Sequence, residues 1–386
     1  MNYIDLFCGI GGFHQALKTF NTNCVLASDN NKDCQYIYKI NYNIEVQKDV
    51  KTIDPNIIPN IDIICGGFPC QTFSNAGKKK TFLDDRGLLF DEIIRIAKVK
   101  KPKFMFLENV KHILKVGNGE VIEYIKNKLK ENKYILQLFN MSPHNYGIPQ
   151  QRERIYFVCI RNDIYNGKNI KLPISDKKII FENFLDNKRY IDKKYYIKGD
   201  ILKVLEAWDE MIKIFDIGEK ISPTILIHEF YIHDRINNYD VYPIWKKQYI
   251  TANKRIIDKY KDKWDVWYEK YKDILQKREI YGKLEWQAGI IKPNDSIFNY
   301  FIQIRQSGIR VKKTEYFPTL VAISQIPIYG KEKRYITPRE CARLQSFPED
   351  FILSDNDKIS YKQFGNAVNV NNVKTVIKAT FEHYKI

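Results

Sequence analysis

Short apolar runs alternate with amphipathic stretches over the first 160 residues of the chain. Runs at residues 3–7, 24–28, 61–65, 104–107, 135–140 and 155–160 predict strands. Between them, residues 12–20, 32–41, 88–98 and 121–131 predict helices; in the third, Leu89, Ile93, Ile96 and Ala97 recur at helical spacing. This βαβα rhythm predicts an α/β fold, a mostly parallel sheet with helices on both faces. Ligands in such sheets bind beyond the carboxyl ends of the strands. The rhythm then fails. From about residue 162 to 304 the chain is charged, aromatic and irregular, and all five Trp residues lie inside that stretch. It reads as a smaller inserted domain with its own core. Apolar segments return after Arg305, and a helix-like stretch at 373–384 closes the chain. The expected division is 1–161 with 311–386, against an insert at 162–310.

Composition narrows this picture. Hydrophobic residues at 44% and charged residues at 28% suit a soluble globular protein. No run approaches the ~18 apolar residues of a membrane span, and the N-terminal residues lack a signal-peptide pattern. Seven Cys residues without a Cys-x-x-Cys pair argue against disulfides and zinc and point to a reducing, cytoplasmic setting. No metal is expected. The net charge of +17 suits a polyanionic partner. With 49 Lys against 14 Arg, an AT-rich gene would produce the same excess, so charge alone leaves that partner open. Residues 166–304 hold 26 cations and 21 anions, so the basic excess lies mostly outside the insert.

Three constellations carry chemistry. In the first, Asp5-Leu6-Phe7-Cys8-Gly9-Ile10-Gly11-Gly12-Phe13, a strand enters a glycine-rich turn where backbone can approach a ligand closely. Such a turn also suits a nicotinamide enzyme or a purely structural bend. Asp29 ends the following strand, placed for ribose hydroxyls, and Asp49 follows the next; each alone also reads as a solvated loop acid. In the second, Gly67-Phe68-Pro69-Cys70-Gln71 puts a thiol just past a strand end, although a lone Cys reads first as a buried apolar residue. Glu108 follows another strand, where a buried carboxylate needs a partner or a function. In the third, Gln151-Arg152-Glu153-Arg154 precedes a strand, and alternation puts both arginines on one side. These pieces suit one reaction. A thiolate adds to C6 of cytosine, a carboxyl group holds the N3 and N4 edge, and a cation assists at O2. Cys70, Glu108 and Arg154 supply those groups, with an adenosyl-sulfonium methyl donor in the glycine-rich turn.

In these motifs, and in Arg339-Glu340-Cys341-Ala342-Arg343-Leu344-Gln345-Ser346-Phe347-Pro348 and Gln363-Phe364-Gly365-Asn366-Ala367-Val368, the chain closely resembles bacterial DNA (cytosine-5) methyltransferases of restriction–modification systems. The resemblance implies a Rossmann-like S-adenosylmethionine-dependent fold whose last helix returns to the first domain, and an insert that recognises the target. It implies that Phe7, Gly9, Gly11, Asp29, Asn30, Asp49, Val50, Pro69, Leu89, Asn366 and Ala367 form the cofactor pocket. The family usually has Glu where Asp29 stands. Cys70 becomes the nucleophile, Glu108 its N3/N4 partner, and Arg152 and Arg154 the pocket arginines. Gln71, Ser74, Lys78, Lys79, Lys80 and Arg86 would lie on a loop that closes over double-stranded DNA, with the target base flipped out. Arg305, Gln306 and Arg310 suit base edges, and equally suit anchoring the insert. A monomer is expected, with a cognate restriction endonuclease as functional partner and no membrane. The alternatives are a tRNA cytosine-5 methyltransferase on the same scaffold and a catalytically silent DNA-binding protein. A Cys-Phe-Thr tripeptide marks the former and is missing here; Cys70, Glu108 and Arg154 together argue against the latter.

Overall fold

The structure, a computed structural model, describes residues 1–69, 88–173, 179–221, 224–231, 240–313, 315–322 and 325–386. The chain forms two compact units, one of residues 1–184 and 338–386, the other of residues 185–337.

The first unit is built on seven strands: β1 (Asn2–Leu6), β2 (Asn23–Ser28), β3 (Val46–Gln47), β4 (Ile63–Gly67), β5 (Phe104–Val110), β6 (Tyr134–Met141) and β7 (Arg154–Arg161). Their order is β3-β2-β1-β4-β5-β7-β6, and only β7 runs antiparallel to its neighbours. The order reverses between β1 and β4, the switch point where an open α/β sheet forms its crevice. Helices α1 (Gly12–Leu17), α2 (Lys32–Tyr42), α3 (Leu88–Lys100) and α4 (Glu120–Glu131) connect the strands. The central strands are buried along nearly their whole length, as near-continuous apolar runs require of strands covered on both faces. On β5, Met105 and Leu107 enter a cluster with Ile93, Ile96, Val121 and Ile125 of α3 and α4. Phe104 and Phe106, one residue out of phase, meet Phe381 from the opposite face, with ring centroids 6.4 and 6.2 Å apart.

Several element ends differ from expectation, β4 among them at Ile63–Gly67 rather than 61–65, and two of the differences have a plain local cause. Strand β5 runs past Leu107 to Val110 because β7 keeps pairing with it, Glu108 opposite Tyr156 and Val110 opposite Arg154. Helix α1 stops at Leu17 rather than at residue 20. The Thr19 and Thr22 hydroxyls take the carbonyls of Ala16 and Leu17, each at 2.8 Å, in place of continued helix.

The second unit has its own sheet, with strands β8 (Thr224–Leu226), β9 (Lys283–Gln287), β10 (Phe301–Arg305), β11 (Gly308–Lys312), β12 (Ile328–Tyr329) and β13 (Arg334–Tyr335) in the order β13-β12-β10-β11-β9-β8. Its helices are α5 (Gly199–Ile212), α6 (His228–Tyr231), α7 (Ile244–Lys259) and α8 (Lys261–Gln276). Four of the five Trp residues build its core: Trp208, Trp264 and Trp267 cluster at centroid distances of 5.0–5.6 Å, and Trp286 joins them from β9. Trp245, at 59% exposure, stays outside the core.

The division falls after Phe184 and before Pro338, later at both ends than the expected 161/162 and 310/311. Residues 162–184 stay with the first unit. There Gln137 on β6 donates to the Lys168 carbonyl at 3.2 Å and accepts from the Ile170 N–H at 2.9 Å. At the other end, β11 spans the expected boundary, and β12 and β13 extend the second sheet. Three last helices, α9 (Pro338–Leu344), α10 (Asp357–Asn366) and α11 (Val370–Tyr384), belong to the first unit.

Candidate functional site

Backbone conformation makes the turn after β1. Phe7, Gly9 and Gly11 have φ of 53°, 53° and 84°, left-handed values that only glycine adopts without strain. A side chain at Gly11 would enter the Tyr42 ring at 2.3 Å, whereas at Gly9 it would meet nothing within 4 Å. The Gly9 side of the turn is thus an open cradle. Asp29 holds that cradle from β2. Its carboxylate accepts the Gly9 N–H and the Asn31 N–H, both at 2.8 Å. Burial raises the Asp29 pKa, and these two hydrogen bonds oppose the rise. A carboxylate has about four acceptor positions, so ribose hydroxyls can still be received. Asn30 is exposed beside it; Asp49 is exposed and caps the turn at Val50, accepting the Lys51 N–H at 2.9 Å. Leu89 is half-buried against the α3 side of the core.

The closing segment stands against this turn. A Cβ on Gly12 would lie 2.5 Å from Val368 Cγ2, so only glycine lets α1 approach so closely. Asn366 is exposed and Ala367 half-buried at the end of α10. Two buried side chains hold this segment by its carbonyls. Arg152 Nη2 donates to Gly365 and Ala367 at 3.0 and 3.1 Å, and Gln345 donates to Phe364 and Ala367 at 2.7 and 3.1 Å. Asn369 and Gln150 both donate to the Leu344 carbonyl.

Glu108 and Arg154 meet at the carboxyl ends of the strands. Arg154 Nε lies 3.0 Å from Glu108 Oε1, with both side chains largely buried. Gly67 at the end of β4 lies against the other oxygen: a Cβ there would be in ordinary contact with Glu108 Oε2 at 3.7 Å. Burial raises the Glu108 pKa, while Arg154 and then Arg152 pull it down. Burial and the nearby Arg154 push Arg152 down to about 9, with Glu108 opposing. Thus the structure gathers Glu108, Arg152 and Arg154, but aims the two arginines differently: Arg154 at the carboxylate, Arg152 at the closing segment.

Cys70, Gln71, Ser74, Lys78, Lys79, Lys80 and Arg86 lie outside the described residues. Arg305, Gln306 and Arg310 belong to the second unit. Among the described residues, no group of three or more His, Cys, Asp or Glu could hold a metal. No described helix is long and apolar enough to cross a membrane. Asn109 stands in the Glu108-Asn109-Val110 motif, but sequence reasoning gave it no role. Its side chain donates to the Phe68 carbonyl at 3.0 Å, fixing the lead into the Pro69-Cys70 loop, and accepts the Val110 N–H at 2.8 Å. An amide inside an otherwise apolar strand was the available signal.

A glycine-rich turn at a sheet's switch point, strand-end acids and a buried Glu–Arg pair are the features of an α/β enzyme whose ligands sit beyond the strand ends. The profile of C-5 cytosine-specific DNA methylases matches residues 1–382, and the chain belongs to that family. It is a cytosine-5 DNA methyltransferase of restriction–modification type, and an S-adenosylmethionine requirement follows from the family. It is 33% identical to the type II methyltransferase M1.ScrFI of Lactococcus lactis subsp. cremoris, over 98% of this chain and 77% of that one. It is 29% identical to M.HhaI of Haemophilus parahaemolyticus, over 96% and 91%. Among solved structures, a DNA modification methyltransferase encoded within an E. coli prophage matches with a TM-score of 0.58 at 20% identity, covering all of both chains. A Spodoptera frugiperda DNMT2 variant matches with the same TM-score at 22% identity, over 98% and 99%. These two structures share the fold.

Proposed function

We propose that the enzyme methylates C5 of a flipped-out cytosine in a specific duplex DNA sequence, through a covalent bond from Cys70 Sγ to C6, and so protects its host's DNA from a cognate nuclease. The buried Glu108–Arg154 pair, one strand away from the lead into the Cys70 loop, is the observation that carries this reading. A stacked cytosine hides C6 within the duplex, so attack requires the base to leave the stack. The Cys70 thiolate forms the S–C6 bond, and the displaced electron pair moves over C5 and N3. Burial raises the Glu108 pKa against the pull of Arg154 and Arg152, which makes a proton easier to carry there. Held by Arg154 at Oε1, Glu108 donates its proton from Oε2 to N3 and accepts from the N4 amino group. The Phe7–Gly11 turn, Asp29, Asp49 and the Asn366-Ala367 segment would hold S-adenosylmethionine, whose sulfonium would supply the methyl group to the activated C5 and be left as a neutral thioether. Water takes the C5 proton as Cys70 Sγ departs as a thiolate, and N3 returns its proton to Glu108, which restores the aromatic ring. Arg152 keeps the closing segment seated through both steps.

The test is expression of the wild type and of Cys70→Ala in a methylation-free host, with methylcytosine mapped in DNA and RNA. The expected result is one modified DNA sequence for the wild type and none for the variant, which should still bind duplex DNA. Modification confined to RNA would replace this reading with the tRNA one, and turnover by Cys70→Ala would sink the covalent step.

A further inference from the structure

The small sheet has two chemically different faces. Along β9, β10 and β11, Leu284, Trp286, Ile302, Ile304, Ile309 and Val311 pack into the core of the second unit. The alternate positions put Glu285, Gln303, Arg305 and Arg310 on the other face. The register sets Glu285 directly opposite Arg310, and Arg310 opposite Gln303. Both arginines converge on one carboxylate. Arg310 Nη2 donates to Glu285 Oε1 at 2.8 Å and Arg305 Nη1 to Oε2 at 3.2 Å. Gln287 adds a third hydrogen bond, to Oε1 at 2.5 Å, leaving Glu285 almost saturated. Among the described residues, each arginine donates a single N–H to this carboxylate; Arg310 Nε is buried, so its terminal Nη groups are what that fork has left to offer.

The three side chains are 23–28% exposed, so the trio keeps access to solvent. Two cations on one anion also leave an excess positive charge that the protein does not neutralise within the trio. Arg305 is the last paired residue before the exposed tip Gln306-Ser307, and Gly308 closes that turn at φ 126°. A side chain on Gly308 would strike Lys283 Cβ at 2.7 Å, so glycine lets the hairpin bend this tightly against β9. A two-stranded ribbon of this kind fits the major groove of a duplex, where arginine forks pair with guanine O6 and N7.

We propose that Glu285 is a positioning residue for sequence readout, holding the Arg305 and Arg310 forks toward the guanine edges of the target duplex while the β10–β11 tip enters the major groove. The inference rests on the DNA-methylating function above. Glu285 itself touches no base. It limits each fork to one orientation, which lowers the ordering cost of binding and rejects base pairs lacking the acceptor pattern.

The experiment measures kcat/KM of the full chain on its target duplex and on duplexes altered by one base pair. Glu285→Gln should narrow the preference for the target by about tenfold at one or two guanine positions, within the range a bidentate contact supplies. Its melting temperature and S-adenosylmethionine binding should match the wild type. Arg310→Lys keeps the charge, loses the planar fork, and should relax the same position. If Glu285→Gln fails to fold, Arg310→Lys alone carries the test. Unchanged preference in every folded variant overturns the inference while leaving methylation intact. A wild type that methylates no duplex removes the functional reading first, and this one with it.

Discussion

Glu108 faces two opposed demands. Burial favours its neutral form, and Arg154 at 3.0 Å favours its charged form. Burial is the larger influence, so the folded pKa is raised. A raised pKa contributes stability that is complete below the unfolded value and is lost as pH rises through the folded one. Replacing Glu108 with Gln keeps the shape and removes the titration. The melting temperature of the wild type minus that of Glu108→Gln should therefore fall as pH rises through that window, and a flat difference would contradict the assignment. The same variant should lose roughly 10²–10⁴-fold in methyl transfer with smaller change in cofactor binding. Equal losses in both would count against an N3 donor. Glu108 stood out in the sequence because an apolar run led straight to it. Asn109 and Gln345 stood in the motifs without a role, because their partners are carbonyls whose direction exists only after folding. Arg152 was visible as a charge, but its targets lie more than 200 residues away in sequence.

At the level of elements, the cradle depends on how α1 sits on α2. His14 of α1 stacks on Tyr42 with a centroid distance of 3.9 Å, and its Nδ1 pairs with the Tyr38 hydroxyl at 2.8 Å. Burial lowers the His14 pKa to about 4. A depressed histidine pKa means that the unfolded chain binds the extra proton, so stability falls as pH drops from about 6.5 toward 4. The full effect is on the order of 3 kcal/mol. His14→Gln should flatten this part of the stability curve in denaturant titrations at pH 4 to 7. An unchanged slope would place the acid sensitivity elsewhere. The strands and helices around His14 were legible because apolar period follows secondary structure directly. Their ends were less so: β5 gained three residues from pairing with β7, a partner about fifty residues ahead.

For the whole molecule, the charge of +17 makes DNA affinity a salt-dependent quantity. Binding to a non-target duplex should weaken about 10³-fold or more between 50 and 200 mM salt if six or more phosphates are contacted. Fluorescence anisotropy across that range checks this, and affinity indifferent to salt would rule out a phosphate-led encounter. The chain's division into two units was foreseeable from the loss of βαβ rhythm and the clustering of Trp. Its boundaries were not, since residues 168 and 170 bond to Gln137 and β12 joins β10, neither of which leaves a local mark.

By itself the sequence determined the kinds of element, the parallel sheet, and the ordered motifs that carry the chemistry, because these depend on residue type and near-neighbour spacing. Tertiary structure alone decided which oxygen of Glu108 faces Arg154, that Arg152 serves the closing segment, and that one carboxylate braces Arg305 and Arg310. Those are relations between strands, set by register and side-chain direction, and a linear pattern does not contain them.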